Sequence, residues 1–326
     1  MKRKPMRYAA IDIGSNTFHL LIIELSTAKK LKVIKDIQKP TRLSSGLEKR
    51  GEFELAAMQR SLETLKEFCQ ICDRLKVKAI RAVGTSALRR SKNAHYFLKQ
   101  SQEKCQLEIK VISGFQEAEL IAKAVSYFYD LSQSTTLIVD IGGGSTEFIF
   151  VKDGAVKEAK SIILGCVDLT EHFFPQEKAT DAQRTAIQEE VAKRLEQIPE
   201  SIPQPKMVSL GGTATCLGSI ALGLKRFSPE KVEGMVLHIK KIDAIIGRLQ
   251  ELSVVERIRE LGLEPLRADI ILAGSLIQRQ IMKKYGITSC TISTLGVRYG
   301  LIVEMIEEDG IGINNTKELF RQGDVM

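Results

Sequence analysis

Long apolar runs are missing from this chain. No stretch approaches the roughly 18 to 20 apolar residues that cross a bilayer, and the opening Met1-Lys2-Arg3-Lys4-Pro5 leads into a strand-like segment, not the apolar centre of a secretory leader. A cytoplasmic location without a membrane partner is the expectation. Cysteine is sparse: Cys69, Cys72, Cys105, Cys166, Cys216 and Cys290 are scattered, which suits reduced thiols in a long intracellular chain better than a disulfide framework. Cys69 and Cys72 have the spacing of a redox or zinc pair, but no second pair accompanies them. Both also fall on the apolar face of one amphipathic segment, so they read as core. Tracts resembling disorder are absent too, with 44% hydrophobic and 27% charged residues, the range of soluble globular domains. No Gly-Lys-Ser/Thr follows a Gly-rich turn, and the glycines are misplaced for a dinucleotide fingerprint, which argues against two common nucleotide folds.

At 326 residues the chain is long for one core and suits two domains. Its net charge of +8 is uneven. Residues 1–110 hold 24 Lys+Arg against 11 Asp+Glu, while residues 111–326 hold 24 against 29. A basic first third attracts a polyanion: nucleic acid, polyphosphate and anionic membrane all satisfy that test, as does a solvated basic surface with no partner.

The pattern along the chain is α/β. Tyr8 to Asp12 is an apolar strand that turns through Gly14-Ser15-Asn16-Thr17 into the apolar run Phe18 to Leu25. Val33 to Ile37 is a third strand. Leu55, Met58, Leu62, Leu65, Cys69 and Cys72 recur at helical spacing. Ala79 to Val83 and Ile109 to Ile112 read as buried strands with a helix near Asn93 to Ser101 between them, which fits parallel pairing. A helix over Gln116 to Tyr129 precedes an echo of the opening. Thr136 to Asp140 turns through Gly142-Gly143-Gly144-Ser145 into Phe148 to Val151, so Asp12-Ile13-Gly14 and Asp140-Ile141-Gly142 occupy matching places. Duplication of a strand-turn-strand unit implies two related halves with a cleft between them. Further helices are expected over 180–197, 213–222, 239–250, 269–285 and 295–308, with strands at Met207 to Leu210 and Thr288 to Thr291. The expected domains are 1–125 with 305–326, and 126–304.

A strand that ends in Asp and turns through Gly, Ser and Thr presents backbone N–H groups and hydroxyls unobstructed, and phosphate oxygens fit such a nest. The carboxylates of Asp12 and Asp140 at the turn mouths suit Mg²⁺. Leu210-Gly211-Gly212-Thr213-Ala214-Thr215 ends another strand and opens a helix, whose N-terminus either receives a phosphate or packs closely.

The strings DIGSNTFHLL (12–21), GTSALR (84–89), ISGFQEAELI (112–121), VDIGGGSTEF (139–148), LGGTAT (210–215), RADIILAG (267–274) and LGVRYGL (295–301) resemble, in order and spacing, the exopolyphosphatase and guanosine pentaphosphate phosphohydrolase (Ppx/GppA) family. The resemblance covers about residues 7–308 and implies a duplicated actin-like (ribonuclease H-like) two-domain fold of the sugar kinase, Hsp70 and actin superfamily. It implies a Mg²⁺-dependent hydrolase that removes the terminal phosphate of inorganic polyphosphate, with pppGpp as the alternative substrate. The family's catalytic glutamate lies in Ser-Gly-x-Glu-Glu-Ala. Here that segment is Ser113-Gly114-Phe115-Gln116-Glu117-Ala118, which keeps only the second carboxylate and makes Glu117 the expected general base. Arg42 and Arg89 stand in family-like contexts as phosphate ligands, and Glu147 is an expected third metal residue beside Asp12 and Asp140. For Arg267 and Arg298, a structural ion pair and a ligand contact are equally compatible with the motifs. His19 reads as support within an apolar strand.

A reading from another class is an ATP-binding actin-like or chaperone-like module, or a small-molecule kinase, with ATP on the Leu210 to Thr215 loop. No inserted substrate domain supports it, and nucleic acid is not an expected partner. Longer members of the family carry an extra C-terminal helical domain that helps dimerisation, so a homodimer is a candidate assembly only.

Overall fold

The computed structural model describes residues 5–174, 180–199 and 205–312. Contacts divide the chain into two units, Met1–Tyr129 with Leu295–Met326, and Asp130–Thr294. The sequence expectation put the return to the first unit at 305. The chain returns earlier because the whole helix Val297–Glu308 packs on the helix Gly114–Phe128 and on the first two strands. Gly300 permits that approach: a Cβ there would overlap the carbonyl oxygen of Leu120.

In the first unit, β1 (Met6–Ile13), β2 (Thr17–Leu25) and β3 (Leu31–Pro40) form an antiparallel meander. β4 (Ala79–Gly84) and β5 (Ile109–Val111) join it in parallel, giving the order β3-β2-β1-β4-β5. Ala9, Ile11 and Ile13 of β1, with Phe18, Leu20 and Ile22 of β2, close a core against Phe68 of the helix Leu55–Arg74 and Phe97 of the helix Ala94–Cys105. Neighbouring residues alternate across a strand, so Tyr8, Ala10 and Asp12 take the other face. There Tyr8 bonds Asp309 at the end of Val297–Glu308.

The second unit carries β6 (Thr136–Ile141), β7 (Thr146–Lys152), β8 (Ala155–Ile162), β9 (Lys206–Leu210), β10 (Val236–His238) and β11 (Ser289–Ile292) in the order β10-β11-β9-β6-β7-β8. β8-β7-β6 is again an antiparallel meander, with β9 and β11 continuing in parallel. The duplication read from two Asp-Ile-Gly strings is therefore a duplication of five strands. It extends to detail, because the register irregularity at Ile22/Ile23 recurs at Phe150/Val151 at the same displacement that separates Asp12 from Asp140. This is the α/β, actin-like two-domain architecture. Part of the Pro-rich break before Met207, and the tail after Gly312, lie outside the described residues.

Candidate active site

Both sheets place their conspicuous loops at the carboxyl ends of parallel strands, where open α/β sheets bind ligands. In the first unit, three loops follow β1, β4 and β5. After β1, Gly14 N donates to Thr17 O at 3.2 Å and closes the turn, leaving Ser15, Asn16 and Thr17 buried. The segment after β3 crosses this turn, since Thr41 N and Arg42 N both donate to Asn16 O and Ser44 N donates to Ser15 O. Arg42 has a φ of 50°, a left-handed backbone that a non-glycine residue adopts only under local constraint. The hydroxyls of Thr17, Thr41 and Ser44 are buried and bonded to no protein group among the described residues, which leaves them free to turn toward a ligand oxygen.

After β4, Thr85 N donates to Ile13 O, tying the second loop to the first. The helix Ser86–Arg90 carries Arg89, whose Nη1 donates to Ile112 O at 2.9 Å and to Glu117 Oε2 at 2.8 Å. Glu117 is 7% exposed and sits in the first turn of Gly114–Phe128. Burial raises the pKa of its carboxyl above the ordinary range, and the Arg89 guanidinium offsets part of that rise. The helix start explains the substitution at position 116. Ser113 Oγ accepts from Gln116 N at 3.1 Å while Gln116 Oε1 accepts from Ser113 N at 3.0 Å, a capping box in which Gln serves as well as Glu. Position 116 is thus committed to the backbone, and 117 is left to face the site.

In the second unit, Gly142 N donates to Ser145 O at 2.9 Å, the same turn as at Gly14. Asp140 and Glu147 stand opposite one another across β6 and β7. Glu147 does not face outward on an edge strand: β7 lies inside the sheet, the residue is 1% exposed, and Ser161 Oγ donates to its Oε1 at 2.7 Å. The Asp140 carboxylate lies against Gly211, which opens the helix Gly211–Ala221 at a φ of +82°, so any side chain there would meet both a strained backbone and that carboxylate. Arg267 lies over the next residue, where a Cβ at Gly212 would overlap its guanidinium. Thr213 completes the helix start and is buried. Cys166 lies under the loop with Sγ 3.3 Å from Gly142 O, its thiol pushed up to about 12 by burial and so inert as a nucleophile.

Among the described residues no group of three or more His, Cys, Asp or Glu could hold a metal. Asp140 with Glu147 is a pair of hard carboxylates, and one or two carboxylates plus phosphate oxygens is how Mg²⁺ is commonly held. The fit is therefore to a metal shared with a phosphate ligand. Asp12 faces His19 instead of a second carboxylate. Arg298 is buried in an ion pair with Asp36 at 2.9 Å. Cys72 is buried and Cys69 half-buried on the helix Leu55–Arg74, and burial pushes their thiols up to about 12 and about 11. Sequence reasoning missed Ser161, Thr41 and Ser44, because hydroxyls carry no pattern until the strands bring them to a neighbour. No helix among the described residues is long and apolar enough to cross a membrane.

Known proteins are similar to this chain in sequence and fold. A guanosine-5′-triphosphate,3′-diphosphate pyrophosphatase of Vibrio atlanticus is 32% identical over 311 residues, 93% of this chain and 60% of the relative. The protein of the same name from Vibrio parahaemolyticus is 30% identical over 308 residues, 92% of this chain and 59% of its own. The chain thus spans about 60% of the length of the curated relatives it matches. Among solved structures, the Aquifex aeolicus Ppx/GppA family member is 32% identical with a TM-score of 0.79, covering 95% of this chain and 100% of that one. An exopolyphosphatase from Cytophaga hutchinsonii is 26% identical with a TM-score of 0.85, covering 94% and 99%. The model of the Ppx/GppA phosphatase family matches residues 22–309, and with the paired Gly turns and the Glu117 helix all within or just ahead of that span, the chain belongs to this family.

Proposed function

We propose that the chain hydrolyses the terminal phosphoanhydride of pppGpp, with Glu117 as general base. The observation that carries the reaction class is the buried Glu117 carboxylate held by Arg89 at 2.8 Å. Burial raises the Glu117 pKa and makes it a stronger base than a solvated carboxylate, while Arg89 acts in the opposite sense and favours the ionised form. In that state Glu117 orients a water and takes its proton as the water attacks in line. In the first unit the amides of the Gly14 to Thr17 turn and the cations Arg42 and Arg89 are suited to phosphate oxygens; in the second, the Gly142 to Ser145 turn and the helix start at Gly211, Gly212 and Thr213 are suited in the same way. Asp140 and Glu147 are the residues of the second unit to hold Mg²⁺, and Asp12 occupies the place in the first unit that Asp140 occupies in the second. When bound, Mg²⁺ neutralises charge on the phosphate chain.

The sequence ranked polyphosphate first, on the basic first third. Two findings reverse the order. The curated relatives are named for guanosine 5′-triphosphate 3′-diphosphate. The helix Val297–Glu308 also returns acid to the basic unit: Glu304 and Glu308 pair with Arg81, Glu307 with Lys123, and Asp309 at its C-cap with Lys78. Polyphosphate remains the second reading, supported by the near full-length match to the Cytophaga exopolyphosphatase.

The test is phosphate release by the purified chain from pppGpp, polyphosphates of defined length and ATP, with and without Mg²⁺. The highest kcat/KM is expected on pppGpp, and Glu117→Gln should lower kcat by roughly 100- to 10,000-fold. Faster turnover of polyphosphate would reverse the ranking. Release from neither, or undiminished activity in the variant, would remove the proposal.

A further inference from the structure

The two halves share a backbone pattern but differ in one side chain at its centre. Asp12 stands opposite His19 across β1 and β2, and Asp140 stands opposite Glu147 across β6 and β7. His19 therefore occupies, in the first unit, the position of the proposed metal-holding carboxylate in the second. The next strand continues each row, with Gln38 opposite His19 and Ser161 opposite Glu147.

Geometry fixes how the His19 ring is used. Its Nδ1 lies 3.0 Å from Nη1 of Arg298, and the same guanidinium nitrogen lies 2.9 Å from Asp36 Oδ1. Arg298 is 7% exposed and starts the helix Val297–Glu308, so Asp36 and His19 hold it between β3 and β2. A guanidinium carries only N–H groups and cannot accept a hydrogen bond. The lone pair must therefore belong to Nδ1, and the ring proton to Nε2. Neither ring nitrogen is then open to a metal: one lone pair is taken by Arg298 and the other position carries hydrogen. The strand register pairs Asp12 with His19, so the two side chains leave the same face of the sheet and the Asp12 carboxylate is the cross-strand group within reach of that N–H.

We propose that Arg298 locks His19 as the neutral Nε2–H tautomer, making His19 a positioning residue whose N–H donor holds the Asp12 carboxylate at the mouth of the first Gly turn. The second unit has two carboxylates in this row and suits a divalent cation. The first unit has one carboxylate and one donor, and instead fixes the direction in which Asp12 points.

The kinetic consequence rests on the proposed phosphohydrolase reading; the tautomer does not. The ring state is read by ¹⁵N NMR of the histidine-labelled full chain at neutral pH, with His19 assigned by its loss in the variants. A protonated Nε2 and a bare Nδ1 are expected, and Arg298→Met should release the preference. A ring protonated at Nδ1, or at both nitrogens, would overturn the proposal. Two variants separate the two ends of the ring. His19→Gln places an N–H near the Nε2 position, whereas His19→Asn keeps an acceptor near Nδ1 and loses the donor. With melting temperatures matched to wild type, His19→Asn should lose about 10-fold or more in kcat on pppGpp with little change in KM, as loss of an orienting partner does, and His19→Gln should retain most of it. Equal activity of the two variants would remove the positioning role. Should wild type turn over no phosphate substrate, the functional reading fails on its own. The same ordering of the two variants in tripolyphosphate binding, followed by calorimetry, then decides this one.

Discussion

Glu117 lives between two opposed forces, burial that favours its neutral form and a guanidinium that favours its charged form. A general base must be ionised, so the acid limb of kcat/KM reports that balance. Replacing Arg89 by Met removes the force that lowers the pKa and leaves burial, so the limb should move to higher pH; Arg89→Lys should leave it nearer wild type. A pH–rate profile checks this, and a limb that stays put or moves down would show that Glu117 is not the group titrating. Glu117 was legible in the sequence only through the family motif, since no composition or periodicity marks one carboxylate among forty acidic residues. Its partner Arg89 was legible as a candidate ligand, whereas the ion pair joining them was not. That pair depends on β4 and β5 running side by side, 28 positions apart in sequence at the contact. The capping role of Gln116 could have been read, because Ser113 followed three residues later by Gln is the capping-box spacing.

Elements were read best where periodicity was strong. The helix Leu55–Arg74 buries Ala57, Met58, Ser61, Leu65, Phe68 and Cys72, close to the helical spacing seen in the string. β8 escaped because its first four residues are exposed and show no apolar alternation. A turn signal was nevertheless present. Asp153-Gly154, with φ of 53° and 73°, is the two-residue connection whose twist suits a hairpin. Packing of helix on helix was beyond the sequence altogether. Gly300 of Val297–Glu308 sits so close to the Leu120 carbonyl of Gly114–Phe128 that a larger residue must separate the two helices. Gly300→Val should therefore destabilise the chain by about 1 to 3 kcal/mol, measured by urea unfolding. Because Gly114–Phe128 carries Glu117 on its first turn, kcat should fall as well. A variant with unchanged stability would show that the helices part at no cost.

For the molecule as a whole, charge follows the units more gently than it follows the string. With the residues that the units assign to it, the first holds 28 Lys+Arg against 19 Asp+Glu and the second 20 against 21. The basic bias thus remains with the first unit but is smaller than its opening 110 residues suggested. Continuity differs as well: the second unit is one stretch, Asp130–Thr294, and the first is two. A fragment of 130–294 should fold alone with a cooperative melt. A fragment of 1–129 should not, because it lacks Tyr299, Leu301, Ile302, Val303, Met305 and Ile306, all buried in the intact chain. Supplying 295–312 as a separate peptide should restore its structure, followed by circular dichroism; a well-folded 1–129 would refute the dependence.

The return of Val297–Glu308 to the first sheet also has a meaning in time. On a ribosome the amino-terminal unit is translated first, yet its last helix emerges only after the entire second unit has been made. The half that begins synthesis is the half that finishes folding last. The Glu117 helix waits through that interval with the face that meets Gly300 uncovered, so a nascent chain should hold its base in an unassembled setting until Val297–Glu308 has been made.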